Sequence, residues 1–434
     1  MNIVLLHSHD AGCMVQPYGY PVATPRIQQF AESGVLFRKA FCAAPTCSPS
    51  RAAMLTGVWP HETGMLGLAH RGFDLNDTSK HLVHTLKLAG YETALCGIQH
   101  EAADPSTLGY DKILATYPAR GVDIAPVACD YIAQPHDKPF FLSFGLFDTH
   151  RPFPEPSVDA RYVRVPSPLP DTPETRYDMA AFATAAAGMD EGFGRVIDAI
   201  EDAGLTANTL VIMTTDHGLA FPGMKCTLTD RGLGVMLIIS QPGAIAEGVV
   251  VDEMVTHLDL YPTICELAGI GPPTWLRGKS LASALRGSTT LLHEATFGEV
   301  SFHAAYEPQR SVRTKRYKYI RRFDERAKPV LPNCDAGPSK SVWLDHGWRD
   351  AQGEQEELYD LIFDPDESRS LVKDNSHVAV LAEMRTTLHR WMVETSDPLL
   401  DAPLYAPAGS RVCDTDAIDP EDGIVYYAER TRMG

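Results

Sequence analysis

No stretch of this 434-residue chain approaches the roughly 18 consecutive apolar residues that a membrane-spanning helix needs. Its first residues, Asn2-Ile3-Val4-Leu5-Leu6, are too few for the apolar core of a signal peptide and run straight into polar ones. Nine scattered cysteines, odd in number and never spaced C-x-x-C, disfavour a disulfide framework and a structural zinc site. The expectation is therefore a cytoplasmic protein in a reducing setting, away from the membrane. Positive charge is also scarce: 38 Lys and Arg stand against 56 Asp and Glu, for a net charge of -18. That balance argues against nucleic acid and anionic membrane as partners. An anionic substrate would have to be drawn by a local cationic site against a repulsive overall field. Internal repeats and low-complexity tracts are absent.

With 44% hydrophobic and 22% charged residues, the composition is that of an ordinary globular protein. The length exceeds what one core usually fills, so a large domain with a smaller appendage is expected. Short apolar runs at Ile3–Leu6, Thr93–Cys96, Phe140–Phe144, Leu210–Met213 and Val235–Ile239 read as buried strands. Helical patterns at Thr24–Ser33, Lys80–Ala89, Tyr177–Ala203 and Leu258–Ala268 lie between them. This alternation predicts an α/β domain whose large, mostly parallel central sheet is flanked by helices. From about Ser301 the pattern changes. Basic and aromatic residues partly alternate over Arg310–Ile320, which suits an antiparallel hairpin, and a helix around Val378–Thr395 follows. The expected division is a catalytic α/β domain over 1–305 and a smaller C-terminal α+β subdomain with an antiparallel sheet over 306–434.

In parallel sheets, ligands sit beyond the carboxyl ends of the strands. His9-Asp10, His100, Asp148-Thr149-His150 and Asp216-His217 each follow one of the expected strands. Cys47-Ser48-Pro49-Ser50-Arg51 precedes Ala52–Gly57, which reads as a helix ending at a glycine. The pentapeptide taken alone suits a loop. Its place before a helix puts Cys47 near an N-terminus, where the dipole and free amides favour an anion.

Cys47-Ser48-Pro49-Ser50-Arg51 is a complete C-x-P-x-R signal, and the chain resembles the type I, formylglycine-dependent sulfatase family of the alkaline phosphatase superfamily. Further landmarks keep the family's order: Asn2–Asp10, Ala23-Thr24-Pro25, Gly90–Thr93, Thr215-Asp216-His217-Gly218, Tyr261-Pro262-Thr263 and Glu357–Asp360. Asp148–Pro152 and Phe221–Cys226 are similar to the heparan N-sulfatase-like branch. The resemblance implies that a formylglycine-generating enzyme converts Cys47 to formylglycine, whose hydrated aldehyde is nucleophile and metal ligand. It implies Asp10, Asp216 and His217 as further metal ligands and Arg51 as the group that holds the diol. His100 matches a histidine that acts as base, which would show as a group titrating near neutrality, and His150 and Lys225 match sulfate-contacting groups. One divalent metal ion is implied, calcium being usual. The substrate would be a small sulfated carbohydrate.

Two departures stand out. His9 replaces the first carboxylate of the family's Asp-Asp pair, and as a ligand it would lower the site's negative charge and shift preference toward manganese or zinc. Gly97-Ile98-Gln99-His100 lacks the lysine that usually grips a sulfate oxygen, leaving Lys225 and His150 to stabilise the anion. His70, Arg71 and His303 are candidates for the substrate pocket. The five tryptophans read chiefly as core, with a sugar-stacking platform as the other use. The leading expectation is a metal-dependent sulfatase acting on a sulfate ester or sulfamate. The alternatives are a phosphonate monoester or phosphodiester hydrolase of the same superfamily and a degenerate binder of sulfated ligands. The oligomeric state is left open, a homo-oligomer included.

Overall fold

The computed structural model describes residues 1–288 and 291–426, so 427–434 of the expected 306–434 subdomain lie outside the described residues. Among the described residues the large sheet comprises β1 (Asn2–Ser8), β2 (Val35–Phe41), β3 (Glu92–Gly97), β4 (Lys112–Ala115), β5 (Phe140–Leu146), β6 (Thr209–Thr215), β7 (Gly234–Val235), β8 (Leu237–Ser240) and β9 (Val249–Thr256). The order runs β4-β3-β5-β1-β6-β8-β2, with β7 and β9 also pairing with β2. β4, β3, β5, β1 and β6 are mutually parallel, β8 is antiparallel to β6 and β2, and β9 is parallel to β2.

The apolar runs are continuous because both faces are covered. Val4, Leu6, Leu142, Phe144, Val211 and Met213 join one core, whereas Ile3, Leu5, Phe141, Leu210 and Ile212 join another. Helices Pro25–Glu32, Gly121–Ile132 and Pro173–Asp202 cover the first face through Phe30, Ile124, Phe182 and Phe193. Helices Leu82–Leu88 and Leu260–Leu267 cover the second through Leu86 and Ile264. The expected strand Val235–Ile239 is instead split into β7 and β8. The backbone N–H of Met236 between them is taken by Gly12 O and Thr215 Oγ1, which draws that residue out of the ladder.

A second, four-stranded antiparallel sheet is ordered β10 (Ala295–Phe302), β11 (Tyr306–Thr314), β12 (Tyr317–Arg322) and β13 (Glu356–Asp360). Its first strand lies on the N-terminal side of residue 305. Helix Val378–Glu394 packs on it through Leu381, Met384, Leu388 and Trp391 against Val312, Tyr319 and Leu358. The segment after β12 carries Asn333 and Asp335 back to the carboxyl edge of the large sheet. Among the described residues no helix is long and apolar enough to cross a membrane.

Candidate active site

β1, β3, β5 and β6 end at one edge, in register at Ser8, Leu146 and Thr215 and at Gly97 and Gly145. The polar residues expected after each strand therefore converge. Gly97 is needed here: its φ is 95°, and a Cβ would stand 2.0 Å from Gly145 O. Asp10 (φ 48°) and His100 (φ 72°) adopt the left-handed region without being glycine. Such conformations cost on the order of 1–3 kcal/mol and persist where the surroundings enforce them.

Cys47 opens the helix Cys47–Thr56, every residue of which is buried. The C-S-P-S-R segment is thus the first helical turn rather than a loop, where proline is tolerated because its N–H would be unpaired anyway. Gly57 closes the helix at φ 72°. The two serines lock the turn in place: Ser48 Oγ accepts from Ala69 N at 3.0 Å, and Ser50 Oγ donates to Asp216 O at 2.6 Å.

Two carboxylates and two imidazoles surround Cys47. Asp216 Oδ1 accepts from the backbone N–H groups of Asp10 (2.9 Å) and His217 (2.8 Å). Its Oδ2 accepts from Arg51 Nε at 3.2 Å and lies 3.1 Å from His9 Nδ1. Asp10 Oδ1 lies 3.2 Å from His217 Nε2 and 3.9 Å from Cys47 Sγ, while its Oδ2 accepts from Lys225 Nζ at 3.0 Å. His217 Nδ1 donates to Gly218 O at 2.9 Å, which leaves the Nε2 lone pair facing Cys47 Sγ at 3.3 Å. Donor atoms of His9, Asp10, Cys47 and Asp216 all lie within 4.8 Å of one another. His9 is buried, yet neither ring nitrogen has a hydrogen-bond partner. A buried imidazole without hydrogen bonds, set among two carboxylates and a sulfur, fits a cation.

Lys225 bridges Asp10 and Asp335, at 2.9 Å from the latter. Burial opposes its charge, but the two carboxylates hold its pKa well above the ordinary lysine value. Burial likewise works to raise Asp10, and Lys225, His150 and His217 outweigh it, keeping the carboxyl below its usual range. Three carboxylates, Asp10, Asp216 and Asp335, thus face two fixed cations, Lys225 and Arg51. These five fixed groups therefore carry a net negative charge, an arrangement that favours a bound cation. Burial pushes the Cys47 thiol well up, so the unmodified side chain is a neutral thiol, a poor nucleophile.

His100 stacks on His70, with His100 Nε2 2.8 Å from His70 Nδ1. Burial, followed by His70 and Arg51, carries His100 well below 6.5, and burial lowers His70 to about 4. Titration of His100 therefore belongs on the acid side of the near-neutral value expected from sequence. His150 stacks on Phe147 at 4.1 Å, donates from Nδ1 to Arg151 O at 2.7 Å and turns Nε2 toward Asp10 Oδ2 at 3.8 Å. Arg151 in turn grips Asp178 through two bonds of 2.8 and 2.7 Å, donates to Ala220 O, and lies over the rings of Phe153 and Phe221. It thereby ties the loop of His150 to the loop of Lys225. Ile98 packs against the core.

His303 is buried beside Lys225 and Asp335, and burial keeps its imidazole well below the ordinary value. Arg71 turns away from the centre. Its guanidinium donates to Pro420 O and Glu421 Oε1, so it anchors the C-terminal segment. Asp148, also at a strand end, accepts from Gly121 N and faces a helix instead. Trp59 and Trp391 pack edge-to-face in the core of the second sheet, and Trp343 and Trp348 meet each other. Sequence reasoning missed three residues: Asp335; His7, whose Nδ1 pairs with Arg51 and whose Nε2 meets Ser143 Oγ; and Glu101, buried without a partner and pushed by burial up to about 8. A histidine inside an otherwise apolar strand and a glutamate directly after His100 were the available signals for the last two.

The family model described as Sulfatase matches residues 1–270, and that described as N-sulphoglucosamine sulphohydrolase, C-terminal, matches residues 224–341. The chain is similar to N-sulphoglucosamine sulphohydrolase of Homo sapiens, at 29% identity over 93% of this chain and 92% of that protein. Among solved structures, a 2-O GAG sulfatase superposes with a TM-score of 0.71 at 24% identity, covering 94% of each chain. The phosphonate monoester hydrolase of Silicibacter pomeroyi gives a TM-score of 0.73 at 18% identity, covering 92% of this chain and 96% of that one, so the fold is common to both chemistries. The sulfatase match spans more than half of the sequence and ends at the helix that follows β9: the chain belongs to the sulfatase family and is a sulfuric ester hydrolase.

Proposed function

We propose that this protein removes sulfate from a small sulfated sugar, as an ester or a sulfamate, through a formylglycine made from Cys47. The observation that carries the reading is the buried ring of Asp10, Asp216, His9, His217, Arg51 and Lys225 around the first residue of a helix. The sugar is inferred from the names of the human relative and the C-terminal family model. Formylglycine supplies a hydrated aldehyde, one oxygen for attack at sulfur and a second hydroxyl for release of sulfate by re-forming the aldehyde. His9, Asp10, Asp216 and His217 would hold one divalent cation, which when bound would supply positive charge and lower the pKa of the attacking hydroxyl.

This chain's own residues would do the rest. Arg51, fixed on Asp216 and His7 with its Nη2 unpartnered, keeps a permanently charged donor beside the nucleophile. Lys225, held charged by its two carboxylates, would receive the sulfate oxygens in place of the lysine absent at Ile98, with His150 joining it when Nε2 carries a proton. His100, neutral through burial, can take the proton when the aldehyde re-forms. Asp335 and His303 line the side contributed by the second sheet and its loops. Because Cys47 is 1% exposed, a formylglycine-generating enzyme has to meet the C-S-P-S-R segment before the chain folds.

The test combines two readouts on protein made with that enzyme. The Cys47 peptide should be lighter by about 18 Da, the covalent change from cysteine to formylglycine, and glucosamine carrying N- or O-sulfate should release inorganic sulfate. An unmodified thiol together with no sulfate release overturns the proposal.

A further inference from the structure

Resting on the sulfatase reading above, we propose that the cation beside Cys47 is a transition dication, zinc or manganese, selected against calcium by His9 and His217. Calcium is held by six to eight oxygen ligands, and its affinity grows with their negative charge. Here the carboxylate oxygens beside the formylglycine position are in short supply. Asp216 Oδ1 already accepts two backbone N–H groups, and its Oδ2 accepts from Arg51. Asp10 Oδ2 is bound to Lys225. Both carboxylates therefore share their charge with a buried cation, and Asp10 Oδ1 alone among their four oxygens accepts no N–H in these contacts.

Nitrogen, in contrast, is available. The buried His9 ring is wedged among Phe147, His100 and His150, with centroids at 4.9, 5.7 and 5.6 Å; its Nε2 finds no partner, and its Nδ1 approaches Asp216 without hydrogen-bond geometry. Such orphaned buried groups are rare and call for a ligand. His217 has its Nδ1 hydrogen on Gly218 O, the arrangement by which metal-binding histidines fix the tautomer that leaves Nε2 free. His9 Nδ1 lies 3.1 Å from Asp216 Oδ2, and His217 Nε2 lies 3.2 Å from Asp10 Oδ1. Donors bound at about 2.0–2.2 Å to one ion stand roughly 3.0–3.5 Å apart at neighbouring corners, so each pair has the spacing of two donors on an ion. Donor atoms of His9, Asp10, Cys47 and Asp216 lie within 4.8 Å of one another, and His217 Nε2 borders that group through Asp10. Imidazole donors favour first-row transition dications over calcium, zinc more strongly than manganese.

The experiment equilibrates metal-free protein with equal zinc and manganese and about a hundredfold excess of calcium, followed by desalting and elemental mass spectrometry. Zinc and manganese together should amount to roughly one ion per chain, with calcium below about a tenth of an ion. Stoichiometric calcium overturns the proposal. His9→Asp should raise calcium occupancy at least about tenfold, since it restores a carboxylate, and an unchanged ratio in that variant removes His9 from the selection. If His9→Asp does not fold, pulsed electron paramagnetic resonance of the manganese-loaded wild type decides. Couplings to two imidazole nitrogens are expected, and one or none refutes the two-histidine site. These readouts need no turnover. Calcium-loaded protein that desulfates a sugar overturns the metal inference alone, and zinc-loaded protein that releases no sulfate overturns the functional reading alone.

Discussion

Arg310 on β11 and Arg51 on the nucleophile helix are both fully buried, but their surroundings are completed differently. Arg310 donates to Asp397 through Nε and Nη2, lies 3.3 Å from Glu299, and spends Nη1 on Val300 O, Ser301 Oγ and Gln309 O. His61 closes that cluster with Nδ1 at 2.8 Å from Glu299 and Nε2 on Thr395 O. Around Arg51, polar atoms of His9, His100, His303 and Arg51 itself are buried without partners. Both regions offer three or more metal-type donors at short range. What separates them is satisfaction: the first set fills its own hydrogen bonds and ties the helix of His61 and the loop of Asp397 to β10 and β11, and the second leaves groups waiting for a ligand. Donor geometry alone would have marked two metal sites; the orphan atoms single out one.

Removing the nucleophile is the largest available perturbation of that contrast. Cys47→Ala deletes the formylglycine precursor and should lower sulfate release by on the order of 10⁴-fold or more, as loss of a covalent nucleophile does elsewhere. The melting temperature should hardly move, because a small buried side chain is exchanged for a smaller one. Steady-state turnover and a thermal melt of the same preparation check both halves, and surviving activity would return Cys47 to the core.

The other cluster should answer in the opposite currency. Arg310→Met leaves Asp397 buried without its guanidinium partner and Glu299 with His61 alone, a change expected to cost about 3–5 kcal/mol of stability. Activity per folded molecule should persist, since Arg310 touches no site residue. Denaturant unfolding with turnover normalised to the folded fraction measures this. A stable Arg310→Met protein would show the cluster to be no keystone.

His100 gives an intermediate effect and a sign. As a base it works unprotonated, and burial holds its imidazole well below 6.5. Sulfate release should therefore stay level through neutral pH and fall only on the acid side, as His100 gains a proton. His100→Gln should lower turnover by roughly 100-fold, the scale of general-base catalysis, and lose that acid limb. An acid limb unchanged in the variant would assign it to another group.

The contrast also explains what the sequence made legible. β1, β3, β5 and β6 stood out because parallel strands covered on both faces become uninterrupted apolar runs, and the polar residues after them could then be assigned to one edge. The break at Met236 was invisible because its cause is a tertiary hydrogen bond to Gly12, more than two hundred residues away in sequence. Asp335 lies in an aperiodic segment 110 residues from Lys225, and nothing local announces that it completes the lysine's pairing. The partners of Arg71 were hidden for a related reason. Its neighbours in sequence belong to the pocket, but its partners lie at Pro420 and Glu421. Ordered short-range motifs thus reveal which residues reach the site edge, whereas the second sheet's contribution depends on long-range packing.

The smallest expected effect again concerns the satisfied cluster. Burial pulls the His61 pKa down, but Glu299, with Asp397 behind it, outweighs burial and raises it above the ordinary 6.5. A group raised in the folded state adds stability that is fully present below its unfolded value and fades as pH rises through the folded one. Wild-type protein should therefore exceed His61→Gln in stability most below pH 6.5, with the gap narrowing at alkaline pH. Melting temperatures of the pair across that range make the comparison. A gap that widens with pH would mean that His61 is neutral in the folded protein and serves only as a hydrogen-bonding wedge. The resemblance to an active-site histidine would then be closer than the filled hydrogen bonds suggest.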